Sequence, residues 1–168
     1  MAKATIRCPQ CGAPVADIDG PGHAYVPSAP GCWAAFCELQ AGELQRFGRH
    51  PAHGLVVDAY MAQHPGDGSD RRDRQSVYVH LIGLCAVLER GWPNARRLLS
   101  RRAGHRTEYP RLVRVGPGEL TVVDLVGAAD TDAYEAGARA WAESVWRAWT
   151  PEHERIRTAV LELERVVG

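Results

Sequence analysis

The chain has no excess charge of either sign: 20 basic residues are matched by 20 acidic ones, so no global field draws it to nucleic acid or an anionic membrane. The basic runs Arg71–Arg74 and Arg96–Arg106 therefore read as solvated helix faces, and nucleic acid is not the expected partner. The chain also lacks a membrane-length apolar run. Its most apolar stretch, Gln75–Glu89, offers about 12 apolar-rich positions, too few at ~1.5 Å each for a hydrocarbon core of ~30 Å. No apolar segment follows the early Lys and Arg of MAKATIRCPQCG, so a secretory signal is not read there and a cytoplasmic setting is expected. There is no GxSxG turn for an activated serine. The glycine-rich stretches at 20–22 and 116–118 lack the spacings that cradle phosphate. Internal repeats, heptads and low-complexity tracts are missing too. What remains is one compact domain: 168 residues with 45% apolar composition suffice for a proper core.

Five cysteines in a reducing compartment point to ligands or core positions rather than a disulfide framework. Cys8-Pro9-Gln10-Cys11-Gly12 is the turn of a zinc knuckle, in which the loop folds back so that two thiolates converge on one metal. His23, Cys32 and Cys37 follow. Cys8, Cys11 and Cys32 with His23 would complete a Cys3His structural Zn2+ site, and Cys37 could replace His23. A redox role for the CxxC is disfavoured, because no strand signal precedes Cys8.

Helical spacing predicts an amphipathic helix from Trp33 to about Arg49 and a second from His53 to Gln63, stopped by His64-Pro65-Gly66. The apolar helix over Gln75–Glu89 forms the central pillar. Asn94 to about Arg102, Asp130 or Thr131 to Trp149, and a last helix after Thr150-Pro151-Glu152 complete the set. That last helix carries a stripe of His153, Ile156, Val160, Leu163 and Val167. Residues 111–123, punctuated by Gly and Pro, allow at most a minor β element. The expectation is a mainly α protein of five or six helices, with a zinc-binding loop over residues 1–32 resting on a helical unit over 33–168.

His80 lies in the middle of the apolar pillar, and a buried imidazole without a partner costs about 1–3 kcal/mol. His53, Asp58, Tyr60, His64 and His153 fall near helix ends or on core-facing stripes, and a helical bundle can bring such groups to one point. Asp58, Tyr60, His64 and His80 are the principal catalytic candidates, with His53 and His153 behind them. Their chemistry would be metal-assisted or acid–base, on a small molecule, and a second metal in the helical pocket is conceivable. His53 and His64, about 16 Å apart along one helix, cannot share a single ion. The plain alternative for each histidine is a hydrogen-bonded core residue. The rival for the whole chain is a noncatalytic, zinc-stabilised module that binds a protein partner. A weaker third reading has the zinc loop and basic runs contacting nucleic acid.

The ordered set CPQCG, GPGHAY, SAPGCWAAF, VVDAYMAQHPG, SVYVHLIGL, VLERG and WRAWTPEH resembles the DUF5946 family of small bacterial proteins, from Cys8 to about Arg157. The resemblance implies a site shared among Cys8, Cys11, His23, Cys32, Asp58, Tyr60, Gln63, His64 and His80, without naming a reaction. Cys37 stands outside that pattern, which favours His23 as the fourth zinc ligand.

Overall fold

Thr5–Arg7 (β1) and Pro14–Ala16 (β2) form an antiparallel hairpin with Ile6 opposite Val15. The computed structural model in which they lie describes residues 4–165. Between the strands the knuckle closes on itself. Gly12 takes a φ of 77°, a conformation that glycine adopts without steric cost, and its N–H donates to the Cys8 carbonyl at 2.8 Å. The Cys8 N–H donates to the Ala13 carbonyl at 2.9 Å. A strand thus does precede Cys8. It leads into a turn and a second strand rather than a helix, so the context is still not that of a redox motif.

The helices are α1 (Pro30–Phe47), α2 (His53–Gln63), α3 (Arg71–Leu88), α4 (Pro93–Ala103), the single turn α5 (Val122–Leu125), α6 (Thr131–Ala148) and α7 (His153–Arg165). A short 3-10 turn, Thr150–Glu152, joins the last two. Two start earlier than apolar spacing alone predicts. Pro30 suits the first turn of α1, where its missing N–H has no partner to lose. Asp70 caps α3 by accepting from the Arg72 N–H at 2.6 Å. Gly48 ends α1.

As expected, α3 is the pillar: it touches α2, α4, α6 and α7. Leu81, Ile82 and Leu84 have no exposed surface, and burial of each such side chain stabilises the fold by about 1.5–3 kcal/mol. Val167, assigned to the stripe of the last helix, lies outside the described residues.

The minor β element is the hairpin at 5–16, not residues 111–123. That later stretch is an extended strap as far as Thr121, where α5 begins, and its polar groups are taken by elements on either side. Val113 N–H donates to Glu152 Oε1 at 3.0 Å, Val115 N–H to the Ala148 carbonyl at 2.8 Å, and Leu120 N–H to Ser144 Oγ at 3.0 Å. From α2, the buried Gln63 amide donates to the carbonyls of Pro117 (2.7 Å) and Leu120 (2.8 Å) and accepts from Trp141 Nε1 (3.1 Å). With its backbone satisfied in this way, the alternating Leu and Val pattern needs no strand partner.

β2 rests on the start of α1. A Cβ at Gly31 would overlap the Ala16 carbonyl, so only glycine lets hairpin and helix approach this closely. That approach sets Cys32, the next residue, beside the knuckle.

Candidate metal centre

Cys8 and Cys11 come from the knuckle, Cys32 from the first turn of α1, and His64 from the residue that caps the C-terminus of α2. All four are buried, with exposures between 0% and 3%, and their donor atoms lie within 4.8 Å of one another. A tetrahedral ion with metal–sulfur bonds of ~2.3 Å and a metal–nitrogen bond of ~2.0 Å requires S···S edges of about 3.8 Å and S···N edges of about 3.5 Å. The Cys11–Cys32 Sγ separation is 3.7 Å, and His64 Nε2 stands 3.6 Å from Cys8 Sγ and 3.4 Å from Cys32 Sγ.

The histidine is held in the tautomer a metal needs. His64 Nδ1 meets the Tyr60 carbonyl at 2.7 Å. A carbonyl can only accept, so Nδ1 carries the hydrogen and the Nε2 lone pair faces the sulfurs. The Ala13 N–H donates to Cys11 Sγ at 3.5 Å and the Tyr60 hydroxyl to Cys32 Sγ at 3.7 Å, as donors around metal thiolates do. Tyr60, fully buried and stacked on Phe36, has its hydroxyl pKa raised by burial and by the neighbouring thiols.

Of the three thiols, Cys8 gives up its proton most readily. Hydrogen bonds from Cys11 and Cys32 hold the Cys8 thiol far below its usual range, while hydrogen bonding to Cys11 and Cys8, together with burial, pushes Cys32 far above it. Arg114, from the strap, brings a cation to this surround. It donates to the carbonyls of Gln63 (3.0 Å) and Gln10 (2.8 Å), tying the knuckle turn to the end of α2. Burial lowers its pKa, and the nearby Cys11 and Cys8 oppose that shift.

The fourth member of the cluster is therefore His64, neither His23 nor Cys37. His23 sits half-buried against Trp33, ring centroids 4.9 Å apart, and its Nδ1 accepts from the Tyr25 N–H at 3.4 Å. Trp33 is one residue past Cys32, about 100° around the helix, so this neighbourhood lies to one side of the cluster. Cys37 is five positions past Cys32, about 140° around, and is exposed.

The histidines read as one polar pocket are in fact dispersed. His53 pairs with the buried Glu43 at 3.0 Å, and Glu43 also accepts from the Tyr134 hydroxyl at 2.7 Å. His153 stacks on Trp146 with ring centroids 4.0 Å apart, its Nε2 donating to the Trp146 carbonyl at 2.8 Å. His80 meets Asp58 at 2.7 Å, and Asp58 is also bound by Arg96. Among the described residues no second group of three metal-ligating side chains comes together.

Arg96 and Glu43 were not singled out by sequence reasoning. The signal for Arg96 was Asp58 itself, since a carboxylate on the buried face of a helix needs a cation. The signal for His64 was its place after the last turn of α2, where the chain bends away and the ring can fold back over the helix end.

A family model described as a family of unknown function, DUF5946, covers residues 6–150. No curated protein and no solved structure matches the chain.

Proposed function

The chain belongs to the DUF5946 family, and from that premise we propose that it is a zinc-binding protein in which Cys8, Cys11, Cys32 and His64 hold a structural ion. The observation that carries this reading is the convergence of four buried donors within 4.8 Å, three of whose separations fall on the edge lengths of one tetrahedron. Three thiolates and an imidazole, with no carboxylate among them, are a soft donor set of the kind zinc takes. A catalytic zinc keeps three protein ligands and an open position; four buried protein donors close the shell instead.

Metal-assisted chemistry on a small molecule is therefore not what this centre supplies. Its role is to join three pieces from separate parts of the chain: a hairpin of three-residue strands, the first turn of α1 and the end of α2. Zinc also requires the three thiols to be free, which suits a reducing compartment such as the cytoplasm.

The test is metal analysis of the purified chain. One zinc per chain, retained in His23→Ala and lost in Cys8→Ser, supports the reading. A metal-free protein that keeps its thermal stability in the presence of chelator would contradict it.

A further inference from the structure

Away from the sulfur cluster, α2, α3 and α4 meet at three charged or ionisable side chains. Asp58 of α2 has no exposed surface. Arg96 of α4 donates to both its oxygens, through Nε to Oδ2 and through Nη2 to Oδ1 at 2.5 Å. His80 of α3 donates from Nδ1 to Oδ1 at 2.7 Å. Two glycines make the space: a Cβ at Gly83 would overlap the Asp58 carboxylate, and one at Gly54 the Arg96 guanidinium. Because the carboxylate accepts, Nδ1 carries a hydrogen and the second ring nitrogen, Nε2, is left free. Among the described residues Nε2 has no protein partner, and His80 lines an opening of about 500 Å³ between α3 and the end of α4.

The chemistry of that opening has one sign. Arg72, Arg101 and His105 line it, along with Ser76 and Ser100, and no Asp or Glu does. Among the described residues neither the Arg72 nor the Arg101 guanidinium has a hydrogen bond or an ion pair, whereas the neighbouring Arg71 and Arg74 are both committed to backbone carbonyls. A volume of this order suits a small molecule. The Asp58–Arg96 pair alone would cross-link α2 to α4. That role does not account for an imidazole held in one tautomer at the edge of an acid-free opening with two unpaired guanidiniums.

We propose that this opening binds the phosphate group of a small molecule, Arg72 and Arg101 meeting its charge and His80 exchanging a proton with one of its oxygens through Nε2. The step is a proton transfer alone: Nε2 takes the hydrogen of a monoanionic phosphate or returns it, and no bond to phosphorus changes. Asp58 is a positioning residue that sets the tautomer. The site is independent of the zinc reading, since none of its residues is a donor in the sulfur cluster.

The test uses the full chain with its metal, histidine side chains labelled with ¹⁵N, titrated with inorganic phosphate against chloride at constant ionic strength. The His80 Nε2 resonance is expected to move saturably with phosphate and not with chloride. Arg72→Ala/Arg101→Ala, at two exposed positions, is expected to leave the circular dichroism unchanged and to weaken phosphate binding by about tenfold or more. Asp58→Asn is expected to admit the other tautomer, with a proton on Nε2. The proposal is overturned if phosphate leaves Nε2 unmoved, if the double variant binds phosphate as tightly as the parent, or if succinate saturates the site where phosphate does not.

Discussion

His64 and Tyr60 stand one helical turn apart at the end of α2, and the hydrogen bond from His64 Nδ1 to the Tyr60 carbonyl, 2.7 Å long, turns Nε2 toward three cysteine sulfurs. One backbone group thus sets both the tautomer and the direction of the fourth donor. The metal content of single variants should follow this geometry. Cys8→Ser, Cys11→Ser, Cys32→Ser and His64→Ala each lower zinc affinity by at least about tenfold, since even outer partners of a ligand are worth 10–100-fold. Cys37→Ser and His23→Ala leave it unchanged. Competition with a chromogenic chelator measures the order.

Removal of the metal should loosen the N-terminal hairpin before the bundle. Strands of three residues do not hold by themselves, and the free energy of a structural metal is folding free energy. Chelation is expected to lower the unfolding midpoint by about 10 °C, corresponding to roughly 3 kcal/mol. Hydrogen exchange should show protection lost first over residues 5–16, with α3 still protected.

The same substitution should have opposite signs at two helix positions. At Gly42 in α1 a Cβ would meet only the Arg46 guanidinium, at an ordinary contact distance of 3.5 Å, so Gly42→Ala gains helix propensity and stabilises by about 0.5–1 kcal/mol. At Gly83 a Cβ would overlap the Asp58 carboxylate, which Arg96 and His80 hold in place. Gly83→Ala is therefore expected to destabilise by about 1–3 kcal/mol despite the better helix former. Urea midpoints of the two variants decide the matter.

Glu89 gives a pH dependence with a definite sign. It ends α3 and accepts from Arg157 at 2.6 and 2.7 Å and from Trp146 Nε1 at 2.9 Å, linking α3 to α6 and α7. The Arg157 hydrogen bonds, with the Trp146 bond also contributing, hold its carboxyl below the ordinary value of 4.5. A folded-state pKa below the unfolded one contributes stability that is full above about pH 4.5 and fades as pH falls through the folded value. Glu89→Gln should thus cost about 0.5–1 kcal/mol at pH 7, a modest figure because Arg157 is half exposed. The difference from the parent should shrink in thermal melts below pH 4.5.

Much of this architecture was legible in the chain. The apolar sides of Gln75–Glu89 announced a buried pillar, and the turn at Cys8–Gly12 announced a knuckle, because both signals are local. The fourth ligand was not legible in this way. His23 is nearer in sequence to the three cysteines, but which histidine reaches them depends on how α2 lies against α1, a tertiary fact. The hairpin escaped detection because its strands are three residues long, too short for alternation to be read. The strap at 111–123 showed alternation without a strand because side chains of Gln63, Ser144 and Glu152 take the place of a neighbouring strand. A sequence pattern records which residues are apolar, and the partner of Asp58 had to be found on another helix.

The most direct measurement of the central claim is zinc K-edge X-ray absorption on the full chain and on its His64→Ala and His23→Ala variants. The expected first shell is three sulfurs at about 2.3 Å and one nitrogen at about 2.0 Å. It should be unchanged in His23→Ala and should lose its imidazole scattering in His64→Ala. A four-sulfur shell, or imidazole scattering that disappears with His23 and persists without His64, would contradict the account.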